Sequence, residues 1–164
     1  MISLVNSTKY SLLLLFLAVG CGERTSENQS ANMLEPVPLK SSGFNFHNTL
    51  RETVELNYFT YNYFYNGSGV AIGDINNDGL PDIFMVGTLV ENKLFLNKGN
   101  MIFEDITEKA GVGGGNIGGM STGATMADVN NDGWLDIYVC KSGPFEKLAQ
   151  TTNLLFINNG DNTF

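Results

Sequence analysis

Asp74, Asn76, Asp78 and Asp82 occupy the first, third, fifth and ninth places of one short stretch, with Gly79 at the sixth. Asp128, Asn130, Asp132 and Asp136 repeat the spacing, with Gly133 in the glycine place. Both stretches read D-x-N-x-D-G-x-x-D. Such a set offers only hard oxygen donors on a tight loop. Calcium takes 6–8 oxygen ligands, and a central glycine lets an acidic loop turn around it. Six of the 17 acidic residues of the chain lie in these two loops. Carboxylates crowded this closely repel unless a cation neutralises them. The expectation is two structural Ca2+ ions, one per loop. The alternative is a pair of metal-free turns, since Asn, Asp and Gly favour turns by themselves. Repetition in register favours the metal.

An EF-hand shares the start of this motif but requires a bidentate Glu at position 12 and flanking helices. Position 12 is Met85 in the first copy and Val139 in the second. The flanks, 68–73 and 83–87, are short apolar runs bounded by Gly and Pro, the signature of strands. Each loop is therefore expected to join two strands, with the ninth-place Asp replacing the missing Glu.

The repeat extends beyond the loops. Residues 69–74 align with 123–128, 82–86 with 136–140, and 92–99 with 153–160, while Phe103 aligns with Phe164. Each unit predicts four strands, in the first copy about 68–75, 80–87, 92–97 and 102–107. The expected fold class is all-β: antiparallel four-stranded blades of a β-propeller. About two blades are present and the propeller is incomplete, with repeats over about 68–121 and 122–164. A complete propeller takes about 4–8 blades. The second unit stops at Phe164, where the first continues into Glu104-Asp105-Ile106-Thr107, so the chain reads as an N-terminal fragment of something longer. Residues 141–150 form a longer loop in the second unit than in the first, a place for unit-specific function. Gly113, Gly115 and Gly118 formally match a dinucleotide-binding fingerprint, but a β-run follows where a helix is required, so they read as an inter-blade connection.

A formal charge of −8 over 164 residues argues against nucleic acid as a partner, which calls for a basic patch. Residues 1–21 read as a targeting segment: Lys9, then an apolar run over 10–19, within the 7–15 residues usual for a secretory signal and short of the roughly 20 that span a bilayer. The run ends Leu17-Ala18-Val19-Gly20-Cys21, which resembles the lipobox of bacterial lipoproteins, with Ala18 where Leu is usual. The resemblance implies lipidation of Cys21 and a membrane anchor; an ordinary signal peptide cleaved nearby is the alternative. Residues 22–43 are polar, broken by Pro36 and Pro38, and read as a flexible tether to a domain over 44–164. Between Phe44 and Tyr65 aromatic residues crowd a polar background, and the alternation of Tyr61, Tyr63 and Tyr65 predicts a strand with one packed face. His47, the only histidine, reads as structural. Cys140 has no expected partner and reads as a small buried apolar residue.

The acidic loops, the run 92–99 and Phe103-Glu104-Asp105-Ile106-Thr107 together resemble the FG-GAP/VCBS repeat family, the calcium-loop propeller repeats also seen in integrin α-chains. The type most similar is that of large exported bacterial proteins in which the repeats precede an ASPIC/UnbV domain. The resemblance implies an integrin-like propeller with a metal loop between the first two strands of a blade. It implies Asp74, Asn76, Asp78, Asp82 and the Leu80 carbonyl as one ligand set, and Asp128, Asn130, Asp132, Asp136 and the Trp134 carbonyl as the other.

No nucleophile, base and orienting group stand together in the sequence, so no catalytic residues are expected. The expected function is that of a non-enzymatic, calcium-binding, exported lipoprotein at the cell surface or periplasmic face, carrying a propeller module that binds a protein or glycan. Two alternatives are the N-terminal part of an exported polysaccharide-acting enzyme and an envelope assembly scaffold.

Overall fold

Val70-Ala71-Ile72-Gly73 alternates exposed and covered side chains, the period of a half-buried strand, and forms β1 (Val70–Gly73). The acidic loop then reverses the chain into β2 (Asp82–Met85), and a short connection leads to β3 (Lys93–Asn97) and β4 (Phe103–Asp105). These four strands form an antiparallel meander in the order β1-β2-β3-β4. The computed structural model describes residues 36–114, 119–143 and 151–164, and all of them lie in one compact unit, Pro36–Phe164. The second repeat gives β5 (Met120–Ala127), β6 (Asp136–Ser142) and β7 (Leu154–Phe156), an antiparallel sheet in the order β5-β6-β7, with a bulge in β5 between Ser121 and Gly123.

The architecture is all-β, as the repeat predicts, and the two sheets stack face to face like neighbouring propeller blades. Phe84, Val86, Leu94 and Leu96 of the first sheet meet Ile137, Val139, Ala124 and Met126 of the second in one apolar core. The innermost strands approach closely: a Cβ placed on Gly69 would stand 2.6 Å from Gly123 Cα. Only glycine permits that backbone contact.

Two short helices punctuate the sheets: α1 (Leu39–Ser42) and α2 (Thr107–Ala110). α1 falls inside the stretch expected to be tether, and Ser42 is buried. α2 follows β4 because the Asp105 carboxylate accepts hydrogen bonds from Thr107 N and Oγ1 at 3.0 and 2.6 Å, turning the chain out of the sheet. Ala110, at the end of α2, and Val112, just beyond it, then enter the core.

Two sequence expectations are corrected. No strand forms over Tyr61, Tyr63 and Tyr65; the segment is a series of turns. Asn57 Oδ1 accepts from Phe59 N and Thr60 N, and Thr53 Oγ1 from Leu56 N, local bonds that compete with a ladder. Phe64 is the buried ring, while Tyr63 and Tyr65 are exposed. Cys140 is also exposed rather than buried, because it lies on the face of the second sheet that the first does not cover. The leader, Cys21, most of the expected tether and residues 144–150 of the long loop lie outside the described residues.

Candidate metal centre

Each acidic loop is the turn between the first two strands of its sheet, so the ladder brings its ends together: Gly73 pairs with Asp82, and Ala127 with Asp136. The two loops fold alike. Asp74 Oδ1 accepts from Asp78 N at 3.1 Å and Oδ2 from Gly79 N at 2.8 Å. Asp128 accepts from Asp132 N and Gly133 N at 3.1 and 2.9 Å. Asn76 Oδ1 takes Asp78 N, as Asn130 Oδ1 takes Asp132 N. Asp78 Oδ1 takes Leu80 N, as Asp132 Oδ1 takes Trp134 N. Backbone N–H groups thus turn inward on the side chains at places one, three and five and curl the loop around them.

Left-handed backbone makes that curl possible. Asn77 and Asn131 have φ of 56° and 61°, and Gly79 and Gly133 of 85° and 91°. Asn tolerates this region and glycine enters it without steric cost, which explains both residue types in both loops. The seventh-place side chains anchor the loops from outside. Leu80 lies over Gly99, and the Trp134 ring lies so close over Gly160 that a Cβ there would stand 3.0 Å from Cε2.

The ninth-place aspartates are buried and occupied. Asp82 accepts from Ile75 N at 3.0 Å and Asn97 N at 2.7 Å, binding the loop to β3. Asp136 accepts from Val129 N and Asn158 N in the same way. Burial raises the Asp82 carboxyl above the ordinary range, against its two backbone hydrogen bonds, and the negative charges of Asp78 and Asp74 raise it further. Between places three and five, Asn76 Nδ2 donates to Asp78 Oδ2 at 2.9 Å, and Asn130 Nδ2 to Asp132 Oδ2 at 2.7 Å. Those amide donors each occupy one oxygen of the fifth-place carboxylate. Among the described residues no group of three or more His, Cys, Asp or Glu side chains is gathered around one point. The donor chemistry nevertheless fits a calcium ion. Every donor is oxygen, each ionised carboxylate keeps lone pairs beyond those the backbone uses, and rotation of one exposed amide frees a carboxylate oxygen.

Asn97 and Asn158 hold the loops in place, a role that motif reading misses. Their side chains bridge the sheets' turns: Asn97 Nδ2 donates to the Pro81 carbonyl, and Asn158 Nδ2 to those of Leu135 and Ile75. The Asn158 bond to Ile75 crosses from the second repeat into the first loop. Asn77 Nδ2 crosses the other way to the Gly133 carbonyl at 3.1 Å, so the two loops touch. The repeat alignment pairs Asn97 with Asn158 but says nothing of what they hold.

Comparison with known proteins agrees with this repeat. Residues 74–139 match an FG-GAP-like repeat, a span that opens on the first loop and closes in β6. The chain is 37% identical over 90 residues to cartilage acidic protein 1 of Xenopus tropicalis, which covers 54% of this chain and 14% of that protein. The chain therefore spans about one seventh of the relative's length. No solved structure matches the chain.

Proposed function

We propose that this chain is a calcium-stabilised β-propeller-type recognition module of an exported, lipid-anchored protein, binding a protein or glycan and catalysing no reaction. The single observation behind this reading is the pair of acidic loops with the same hydrogen-bonded curl at equivalent points of two stacked sheets. In this reading calcium sits among Asp74, Asn76, Asp78, Asp82 and the Leu80 carbonyl, and a second ion among their counterparts around Asp132. Calcium supplies the positive charge that the carboxylates of each loop lack. The bound ions fix the turns that join adjacent strands, and so the edge of the blades that a partner meets. The FG-GAP-like repeat supports a role in binding. Cys21 as a lipidated residue would hold the module at a membrane, and among the described residues no helix is long and apolar enough to cross one.

Calorimetric titration of the chain with calcium tests the reading. Two ions per chain are expected, with Kd about 10⁻⁴–10⁻³ M, the range of extracellular calcium modules. A folded chain that takes up no calcium would reduce the loops to turns.

A further inference from the structure

We propose that the two acidic loops take up calcium cooperatively, and that Asn158 is the positioning residue that couples them. This rests on the calcium assignment above and adds to it the relation between the two sites.

Four buried residues form one hydrogen-bonded line from loop to loop. In the first loop, Ile75 N donates to Asp82 Oδ2 at 3.0 Å. The Ile75 carbonyl accepts from Asn158 Nδ2 of the second repeat at 2.8 Å. Asn158 N in turn donates to Asp136 Oδ1 at 2.8 Å, in the second loop. The line thus runs from one ninth-place aspartate to the other. Asp82, Ile75, Asn158 and Asp136 are each no more than 3% exposed, so water does not replace these bonds. The Asn158 amide is fixed in its orientation, because Nδ2 also donates to the Leu135 carbonyl and Oδ1 accepts from Gly160 N at 2.9 Å.

The loops also meet at their tips and at their bases. At the tips, Asn77 Nδ2 donates to the Gly133 carbonyl. At the bases, a Cβ on Gly73 would stand 2.8 Å from Leu135 Cδ1 and 2.9 Å from Met126 Sδ, so the end of β1 seats on the second loop without a gap.

Groups linked in this way order together. Asp136 held by a cation holds Asn158, and through it the Ile75 peptide and Asp82, so the first loop is already ordered for its own ion. Electrostatics acts the other way, since a loop that has gained positive charge attracts a second cation less. That opposition is weak here. Three aspartates per loop outweigh one divalent ion, and residues 77–79 and 130–133 are exposed to screening salt. The net coupling is therefore positive. Couplings between sites are typically about 5–150-fold in affinity, and they are reciprocal.

Trp134, the one tryptophan of the chain, stands in the second loop and reports on it. Calcium titrations followed by its fluorescence, on the wild type and on Asp78→Ala with the first loop disabled, test the coupling. The midpoint is expected to lie about 5-fold or more higher in Asp78→Ala. Asn158→Ala together with Asn77→Gly removes both crossing donors, and glycine keeps the left-handed φ of 56° at position 77. Adding Asp78→Ala to that pair should shift the midpoint no further. A merely structural role for Asn158 would lower stability and leave the gap in place. Circular dichroism verifies folding; if Asn158→Ala unfolds, Asn77→Gly alone must narrow the gap. Calorimetry replaces fluorescence if the indole is silent. A midpoint in Asp78→Ala equal to or below that of the wild type overturns the coupling and leaves calcium binding intact. A gap undiminished by the paired substitutions overturns the role of Asn158. A folded wild type that takes up no calcium overturns the calcium assignment itself, and the coupling with it.

Discussion

At the scale of single residues, the loops balance acceptors against too few donors. Asn76 supplies an amide to the Asp78 carboxylate, standing where a cation's charge would act. Asn76→Asp removes that donor and adds a charge. Calcium affinity should rise several-fold while the calcium-free melting point falls, read by titration and by a thermal scan in chelator, because ligand charge tunes the affinity of a calcium loop. Asp105 behaves in the opposite sense to Asp82. Burial alone would raise its carboxyl, but hydrogen bonds from Thr107 and from Lys93, whose Nζ is 2.9 Å away, together hold it below the ordinary value of 3.8. A depressed folded-state value gives stability that is present above the unfolded value and is lost as pH falls through the folded one. Asp105→Asn should therefore cost about 1 kcal/mol at neutral pH, the usual worth of a partly exposed charged hydrogen bond. Urea unfolding at successively lower pH should show the gap to wild type closing only below 3.8.

At the scale of elements, the strands depend on asparagines and glycines outside the acidic motif. Asn158 is buried and satisfies carbonyls of both repeats. Asn158→Ala leaves them unpaired, and urea unfolding should show a loss of about 1–3 kcal/mol. Gly69→Ala drives a methyl group into the backbone of β5 and should cost about 1–3 kcal/mol by overpacking, measured the same way. The β-strands flanking each loop were legible in the sequence because alternating apolar runs and turn residues recur in register. The tyrosine alternation misled, since alternation alone creates no partner strand and the side chains of Asn57 and Thr53 satisfy the backbone locally. Cys140 misled for a different reason. Its counterpart Val86 is fully buried, but burial depends on which face a neighbouring sheet covers, and repeat alignment carries no such information. The loop positions were legible; the pinning of Asp82 to Asn97, across the sheet, was not.

At the scale of the whole molecule, two sheets share one core and their acidic loops touch through Asn77 and Gly133. A cation bound at one loop, as proposed, would therefore bear on the other. The proposed membrane anchor belongs to this scale too. Cys21→Ser should move the protein from the membrane fraction to the soluble fraction on cell fractionation, because stable anchoring needs acyl chains on that thiol; detergent-dependent partitioning of the variant would count against lipidation. The most direct measurement is a thermal melt of wild type and of Asp78→Ala/Asp132→Ala, each in calcium and in chelator. With calcium at ten times Kd, each loop adds about 1.4 kcal/mol by mass action, and two loops raise the wild-type melting point by about 5–10 °C. The double variant should melt at the same temperature in both solutions. A wild type indifferent to the chelator, or a double variant that still responds as the wild type does, would contradict calcium binding at these two loops.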